Sequence, residues 1–292
     1  MRISCSRVQT YSSCGRQYKY RYIDRLEPIV TPFALAFGRV IDETLSEYLV
    51  QFAYGNSFDL VTDFKSRFEA MFSSRAIKYP QHWDSDDALK TGLSLIESFP
   101  EKWASTNLIP VIDNDGRPMV QKEIIAPIPN SPHELHMVLD LVVMNSMNGQ
   151  VAVLDLKTAA QKLDPESHFG HNTFQLTTYQ YGVERTLAHL LEDGRVSNVG
   201  YMELIKRKIP KTKGQGPTVE TPLFFPRRSR ELVADMLNTY LRTIRELEQN
   251  RFLRPPNLAF NSPCQMCDYA QLCVFNDKQG LREREPYIAK VA

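Results

Sequence analysis

The stretch that decides the fold is Met137-Val-Leu-Asp140-Leu-Val-Val-Met144, followed after a turn by Gln150-Val-Ala-Val-Leu-Asp155-Leu-Lys157-Thr158. Short runs of Val, Leu and Met bounded by turn residues read as strands. Asn148-Gly149 between them suits a tight hairpin, which sets the two strands side by side. Each apolar run is broken by one aspartate. An ionised carboxylate in a buried strand is unfavourable unless it is paired or holds a cation. Asp155 and Lys157 stand two apart and so project from one face of their strand. Leu156 points the other way and leaves its backbone carbonyl as a hard oxygen donor. Two carboxylates and a carbonyl suit Mg²⁺ or Mn²⁺ better than zinc. Such an ion acidifies a bound water and neutralises charge on a phosphate. The same residues also allow a purely structural Asp155–Lys157 ion pair at a strand end.

Working outward, Val120–Ile128 and His133–Met144 join Gln150–Lys157 in a three-strand meander. A further strand is expected at Asn198–Lys206, then a Lys/Gly/Pro loop at Lys208–Pro217 and a short strand at Pro222–Phe225. Apolar residues at helical spacing predict helices over Ala34–Ala53, Phe58–Ile77, Asp86–Ala104, Asn172–Glu192 and Arg230–Gln249, with Gly194 as a stop signal for the fourth. The order of elements makes a mixed α/β fold with a helical insertion at roughly 40–110, not a regular βαβ alternation.

The 292 residues are 42% apolar and 24% charged, which excludes a disordered, collagen-like or coiled-coil chain. The longest uncharged apolar run, Pro28–Gly38, falls short of the roughly 18 residues of a membrane span. Met1–Ser13 has no apolar signal region. The expectation is a cytoplasmic protein with no membrane partner. The net charge is +1, but it is unevenly distributed. Six Lys/Arg face one Asp between Met1 and Arg25, and eight face two Glu between Tyr201 and Arg230. Patches of this kind hold phosphates, and solvated charged surfaces have the same composition.

Five cysteines in a reducing compartment point away from disulfides. Cys264, Cys267 and Cys273 have the spacing C-x₂-C-x₅-C. Three thiols this close are ligands for a soft metal centre that needs a fourth, and Cys14 could close the set. On spacing alone, a structural Zn²⁺ fits as well as an iron–sulfur cluster.

Taken together, these residues resemble RecB-type nucleases of the PD-(D/E)xK superfamily. Ile3-Ser-Cys-Ser6 through Tyr11-Ser-Ser-Cys14 resembles their opening segment, and Phe37-Gly38 with Asp42 their first-helix motif. Asp140 and Asp155-Leu156-Lys157 are similar to the two metal-site motifs, and Gln175-Leu-Thr-Thr-Tyr179 to the Q-x-x-x-Y motif. One cysteine near the start and three near the end resemble the iron–sulfur members, among them the AddB nuclease domain and the CRISPR-associated adaptation nucleases.

The resemblance implies a single nuclease domain over residues 1–292. Its helical part would occupy roughly 34–110 and its restriction-endonuclease-like core sheet 118–226. Residues 1–25 and 255–280 would form an iron–sulfur staple. It further implies a metal-dependent DNA exonuclease acting on single-stranded ends in repair, recombination or replication, with a helicase, recombination or CRISPR partner. Asp140, Asp155 and the Leu156 carbonyl would hold Mg²⁺ or Mn²⁺. Lys157 would serve the attacking water, with Gln175 and Tyr179 facing the site. Cys14, Cys264, Cys267 and Cys273 would hold a 4Fe–4S cluster. Asp42 stands where the family usually places a histidine ligand, so the same motifs also fit a catalytically weak DNA-binding module. Lys206, Arg207, Lys208, Lys211 and Lys213 are the leading phosphate contacts expected of the second basic patch. Tyr11, Tyr18, Tyr20 and Tyr22 in the first would stack bases or belong to the core.

Overall fold

The computed structural model describes residues 1–255 and 263–284. Eight strands form one mixed sheet: β1 (Arg2–Ser4), β2 (Leu108–Pro110), β3 (Val120–Pro127), β4 (Glu134–Asn145), β5 (Val151–Ala159), β6 (Asn198–Ile205), β7 (Thr218–Val219) and β8 (Leu223–Pro226). Six longer helices flank it: α1 (Cys5–Ser13), α2 (Phe33–Ala53), α3 (Leu60–Ser74), α4 (Ser85–Ala104), α5 (Phe174–Thr186) and α6 (Arg230–Glu248).

β4 is the spine. β3 pairs antiparallel along one of its edges, from Pro127 opposite Glu134 to Val120 opposite Leu141. The other edge is shared. β1 runs parallel to residues 134–136, and β5 runs antiparallel to residues 141–144. β5 continues parallel to β6 over its whole length. β6 then takes β7 and β8 antiparallel.

Alternation along the strands sorts the core into two halves. Val151, Val153, Val199 and Tyr201 face α1, α5 and α6. Ala152, Leu154, Leu156, Met202 and Leu204 face α2, α3 and α4. Both faces of the sheet are covered, which is why its central strands read as almost unbroken apolar runs.

Three local expectations need correction. The β4–β5 turn is longer than a two-residue hairpin. Asn145 and Gln150 close it, the Gly149 N–H donates to the Asn145 carbonyl at 2.8 Å, and Gly149 takes the left-handed φ of +73°. The fourth helix ends at Thr186, well before Gly194. Leu187 and Leu191 still reach the core, but from short 3₁₀ turns, so the apolar stripe was satisfied without a continuous helix. The strands at Arg2–Ser4 and Leu108–Pro110 are too short to carry a period and were not anticipated.

Gly200 of β6 sits where a Cβ would stand 2.5 Å from the backbone carbonyl oxygen of Leu223 in β8. Backbone cannot yield as a flexible side chain does. Gly200→Val is therefore expected to lower stability by about 1–3 kcal/mol, read from the urea midpoint.

Candidate active site

The β4–β5 ladder runs from Met144–Val151 to Leu141–Leu154. The next opposed positions in this register are Asp140 and Asp155. Past that point β5 follows β6, and β4 is next met on that edge by β1 at residues 134–136. The sheet therefore opens where the two carboxylates meet. The backbone N–H of Leu156 donates to Asp140 Oδ2 at 3.0 Å, in place of a ladder bond.

β4 also changes face here. Leu135, Met137 and Leu139 belong to the α5 side, whereas Leu141 and Val143 belong to the α2 side. The alternation slips by one residue at Asp140. β3 slips at the same level, with Val120 on the α2 side and Ile124 and Ala126 on the α5 side. Between Val120–Leu141 and Lys122–Leu139 lies Gln121, in the left-handed region with φ +48°. That conformation is uncommon for a residue other than glycine and marks local strain. The Gln121 amide donates to both Asp42 carboxylate oxygens, at 3.1 and 3.3 Å. Sequence reasoning had no signal for Gln121, because its backbone conformation follows from how the two strands twist together.

The other candidates arrive from three elements. Asp155 is fully buried, and Lys157 reaches back from the same face of β5 with its Nζ 2.7 Å from Asp155 Oδ2. This ammonium is the charged neighbour of Oδ2 and lowers the cost of keeping Asp155 ionised. Gln175, in the first turn of α5, donates to Asp155 Oδ1 at 2.9 Å and to the Tyr179 hydroxyl at 2.8 Å. Asp42 and Gly38 come from α2. Together with Leu156, Lys157 and Thr158 they line a cavity of about 190 Å³. Gly38 allows α2 this close to β5, since a Cβ there would lie 3.0 Å from Thr158 Oγ1.

The electrostatics follow from burial and crowding. Desolvation raises the pKa of Asp155 well above the usual carboxylate range, and the facing Asp140 raises it further. Burial also raises Asp140, against the pull of Lys157. Two carboxylates this close do not both ionise easily, and Lys157 offsets only part of that repulsion, which a divalent ion would relieve further. Asp42 is pushed up to about 7, first by burial and then by Asp140. Burial disfavours the charged form of Lys157, but Asp155 and Asp140 outweigh it and keep the ammonium. Among the described residues, no three His, Cys, Asp or Glu side chains stand close enough to hold one ion. The donor set is thus two carboxylates and a backbone carbonyl. Its chemistry fits a hard divalent ion, because the donors are all oxygens and the two buried carboxylates disfavour each other's charge.

The four cysteines expected to act together line one pocket, of about 130 Å³, with Arg16, Arg254 and Tyr20, but no three of their thiols stand close enough to hold one ion. All are free thiols. Cys14 caps the short helix Gly15–Tyr18, with its sulfur 3.4 Å from the Gln17 backbone nitrogen. Gly15 follows because a Cβ there would meet the backbone of Leu253. A two-stranded ribbon of Leu26–Pro28 against Leu281–Glu283 closes this region, as does the Tyr269 hydroxyl, which donates to the Leu26 carbonyl at 2.9 Å.

The basic loop is less available than its sequence suggests. Lys206 donates to the Thr158 carbonyl at 2.9 Å, Arg207 to Gln215 at 2.6 Å, and Lys208 to the His82 carbonyl at 2.7 Å. Lys211 and Lys213 remain exposed. Tyr18 and Tyr20 are buried; Tyr18 packs against Tyr11 and Tyr22, and Tyr20 against Tyr269, so these two are core residues and not stacking platforms.

The sequence signature of the PD-(D/E)XK nuclease superfamily matches residues 2–274. The chain belongs to this superfamily, whose fold is a mixed sheet between helices and whose members are nucleases dependent on divalent metal. No curated protein matches the chain. Among the described residues, no helix is long and apolar enough to cross a membrane.

The raised carboxylates set a sign for stability. From about pH 4 to 7, Asp42, Asp140 and Asp155 hold more protons in the folded protein than in the unfolded chain, so their contribution to stability falls as pH rises through that window. Asp155→Asn removes the buried charge. It is expected to raise the melting temperature of the metal-free protein at pH 7.5 and to flatten this pH dependence, as scanning calorimetry across pH would show.

Proposed function

We propose that the protein is a divalent-metal-dependent deoxyribonuclease, one catalytic domain over residues 1–292, that digests DNA from single-stranded ends. The observation that carries this reading is the confrontation of Asp140 and Asp155 at opposed strand positions, with the Lys157 ammonium 2.7 Å from the buried Asp155 Oδ2. Asp140, Asp155 and the Leu156 carbonyl would hold Mg²⁺ or Mn²⁺, while Asp42 lines the adjoining cavity without standing close enough to be a third carboxylate ligand. When bound, the ion supplies Lewis acidity toward the phosphate and lowers the pKa of a coordinated water.

The chain's own residues do the rest. Lys157 Nζ places a positive charge where the pentacovalent phosphate gains negative charge, and such fixed electrostatic groups contribute on the order of 3–4 kcal/mol to the barrier. Gln175 holds Asp155 in its orientation through Oδ1, so that Oδ2, beside Lys157, would be the oxygen offered to an ion. Tyr179 anchors Gln175 from the next turn of α5. The reading extends to a cytoplasmic role in repair, recombination or replication, beside a helicase or CRISPR partner.

The four thiols on one pocket support a 4Fe–4S cluster. Arg16 and Arg254 on the pocket wall would offset the charge of the thiolates.

A second reading rests on Asp42. Its pKa of about 7 leaves it partly protonated at neutral pH, which weakens it as a ligand and fits a DNA-binding module of low activity.

Anaerobically purified protein is expected to degrade end-labelled single-stranded DNA with Mn²⁺, and Lys157→Ala to lose at least a hundredfold in rate with DNA binding and fold retained. Equal activity in the variant would remove this assignment of the centre. DNA bound but uncut by both proteins would select the module reading. Cys267→Ser is expected to lose its iron, measured by elemental analysis and visible absorbance, and to unfold at a lower temperature. Zinc in the parent protein would overturn the cluster.

A further inference from the structure

A groove on the far side of the cysteine pocket carries four arginines, Arg21, Arg75, Arg282 and Arg284, against the acids Glu27 and Asp268. It shares Gln17 and Tyr269 with that pocket and ends on the first turn of α2 at Leu35. Arg282 and Arg284 are paired with Glu27, at 2.9 and 3.0 Å. Arg21 and Arg75 are exposed and form no ion pair among the described residues. The groove wall also holds apolar surface facing solvent: Leu35 is 61% exposed and Val30 42%. Arginines beside bare apolar side chains suit a ligand with both phosphates and flat bases.

Helix α2 links the groove to the cavity lined by Asp42 and Lys157. Leu35 at the groove's end and Asp42 in the cavity are seven residues apart on α2, about 20° from eclipsed on the helix face. Seven residues rise roughly 10 Å, which is about three nucleotides at the ~3.4 Å spacing of a stacked strand. Gly38 lies between them on the same side and leaves the path without a side chain.

We infer that this groove is the entry track for the single-stranded substrate, with Arg21 and Arg75 gripping phosphates about three nucleotides or more from the bond to be cut. The inference rests on the nuclease reading and names where its substrate lies. The basic loop at Lys206–Lys213 plays no part in this grip.

The test measures anisotropy of a labelled single-stranded 20-mer at several salt concentrations, in the full chain carrying Lys157→Ala to prevent turnover. Adding Arg21→Ala and Arg75→Ala is expected to raise Kd at least tenfold. It should also flatten the dependence of log K on log salt by about 1.4, two contacts at ~0.7 each. Adding Lys211→Ala and Lys213→Ala instead should change Kd less than twofold. Unchanged affinity and slope in the arginine variant would overturn the groove and leave the nuclease reading standing. Failure of the Lys157→Ala parent to bind any DNA would strike the nuclease reading itself and the groove with it. Displacement of the oligonucleotide by poly-glutamate from the parent, but not from the arginine variant, would assign the groove to an acidic protein segment and overturn the proposal. Both arginines are exposed, so melting temperatures should match. Should the double variant fail to fold, Arg75→Glu alone must weaken binding by a similar factor.

Discussion

Two carboxylates face each other inside a low-dielectric sheet, and most of the site is arranged around that repulsion. β4 and β5 cannot continue as a regular ladder past Leu141 and Leu154, because the next pair would be Asp140 and Asp155. The strands part, Leu156 N–H turns to the Asp140 carboxylate, and α5 brings Gln175 to the other oxygen of Asp155. Lys157 supplies a cation beside Asp155. Buried like charges are among the least stable arrangements a protein can hold. Their presence in the best-packed part of the fold is a stability loss that chemistry explains and packing does not.

Strain and repulsion coincide at this level of the sheet. Gln121 is left-handed beside Asp140, and both strands change face there. The slip turns the Gln121 amide toward Asp42 and so ties α2 to the sheet at the cavity wall. A regular β3–β4 pair would point these groups into the two cores. The irregularity is what lets residues from β3, β4, β5, α2 and α5 share one small volume.

Much of this was readable from the residues alone. Aspartates interrupting Val/Leu strands, a turn between them, and the i,i+4 pair Gln175 and Tyr179 have local signatures, and the structure brings all of them together. The cysteine spacing placed four thiols on one pocket, but not within reach of one ion. What escaped were features set by tertiary geometry. The parallel strand Arg2–Ser4 exists only because β4 leaves an open edge for it. The backbone of Gln121 depends on strand twist. The basic loop seemed free as sequence, yet Lys206 and Lys208 are held by carbonyls from residues 158 and 82. The arginine groove was invisible for the opposite reason, since its members come from positions 21, 75, 282 and 284.

The ribbon that pairs Leu26–Pro28 with Leu281–Glu283 has a consequence for synthesis. The first of these strands leaves the ribosome some 250 residues before its partner is made, a wait of roughly ten to fifty seconds at 5–20 residues per second. The sheet and both of its carboxylates can assemble in that interval, while the early strand keeps an open edge of the kind that invites pairing with another nascent chain. The repulsive centre therefore forms before the clip that braces the molecule, and translation speed over the last third of the chain becomes a determinant of how much protein reaches the closed state.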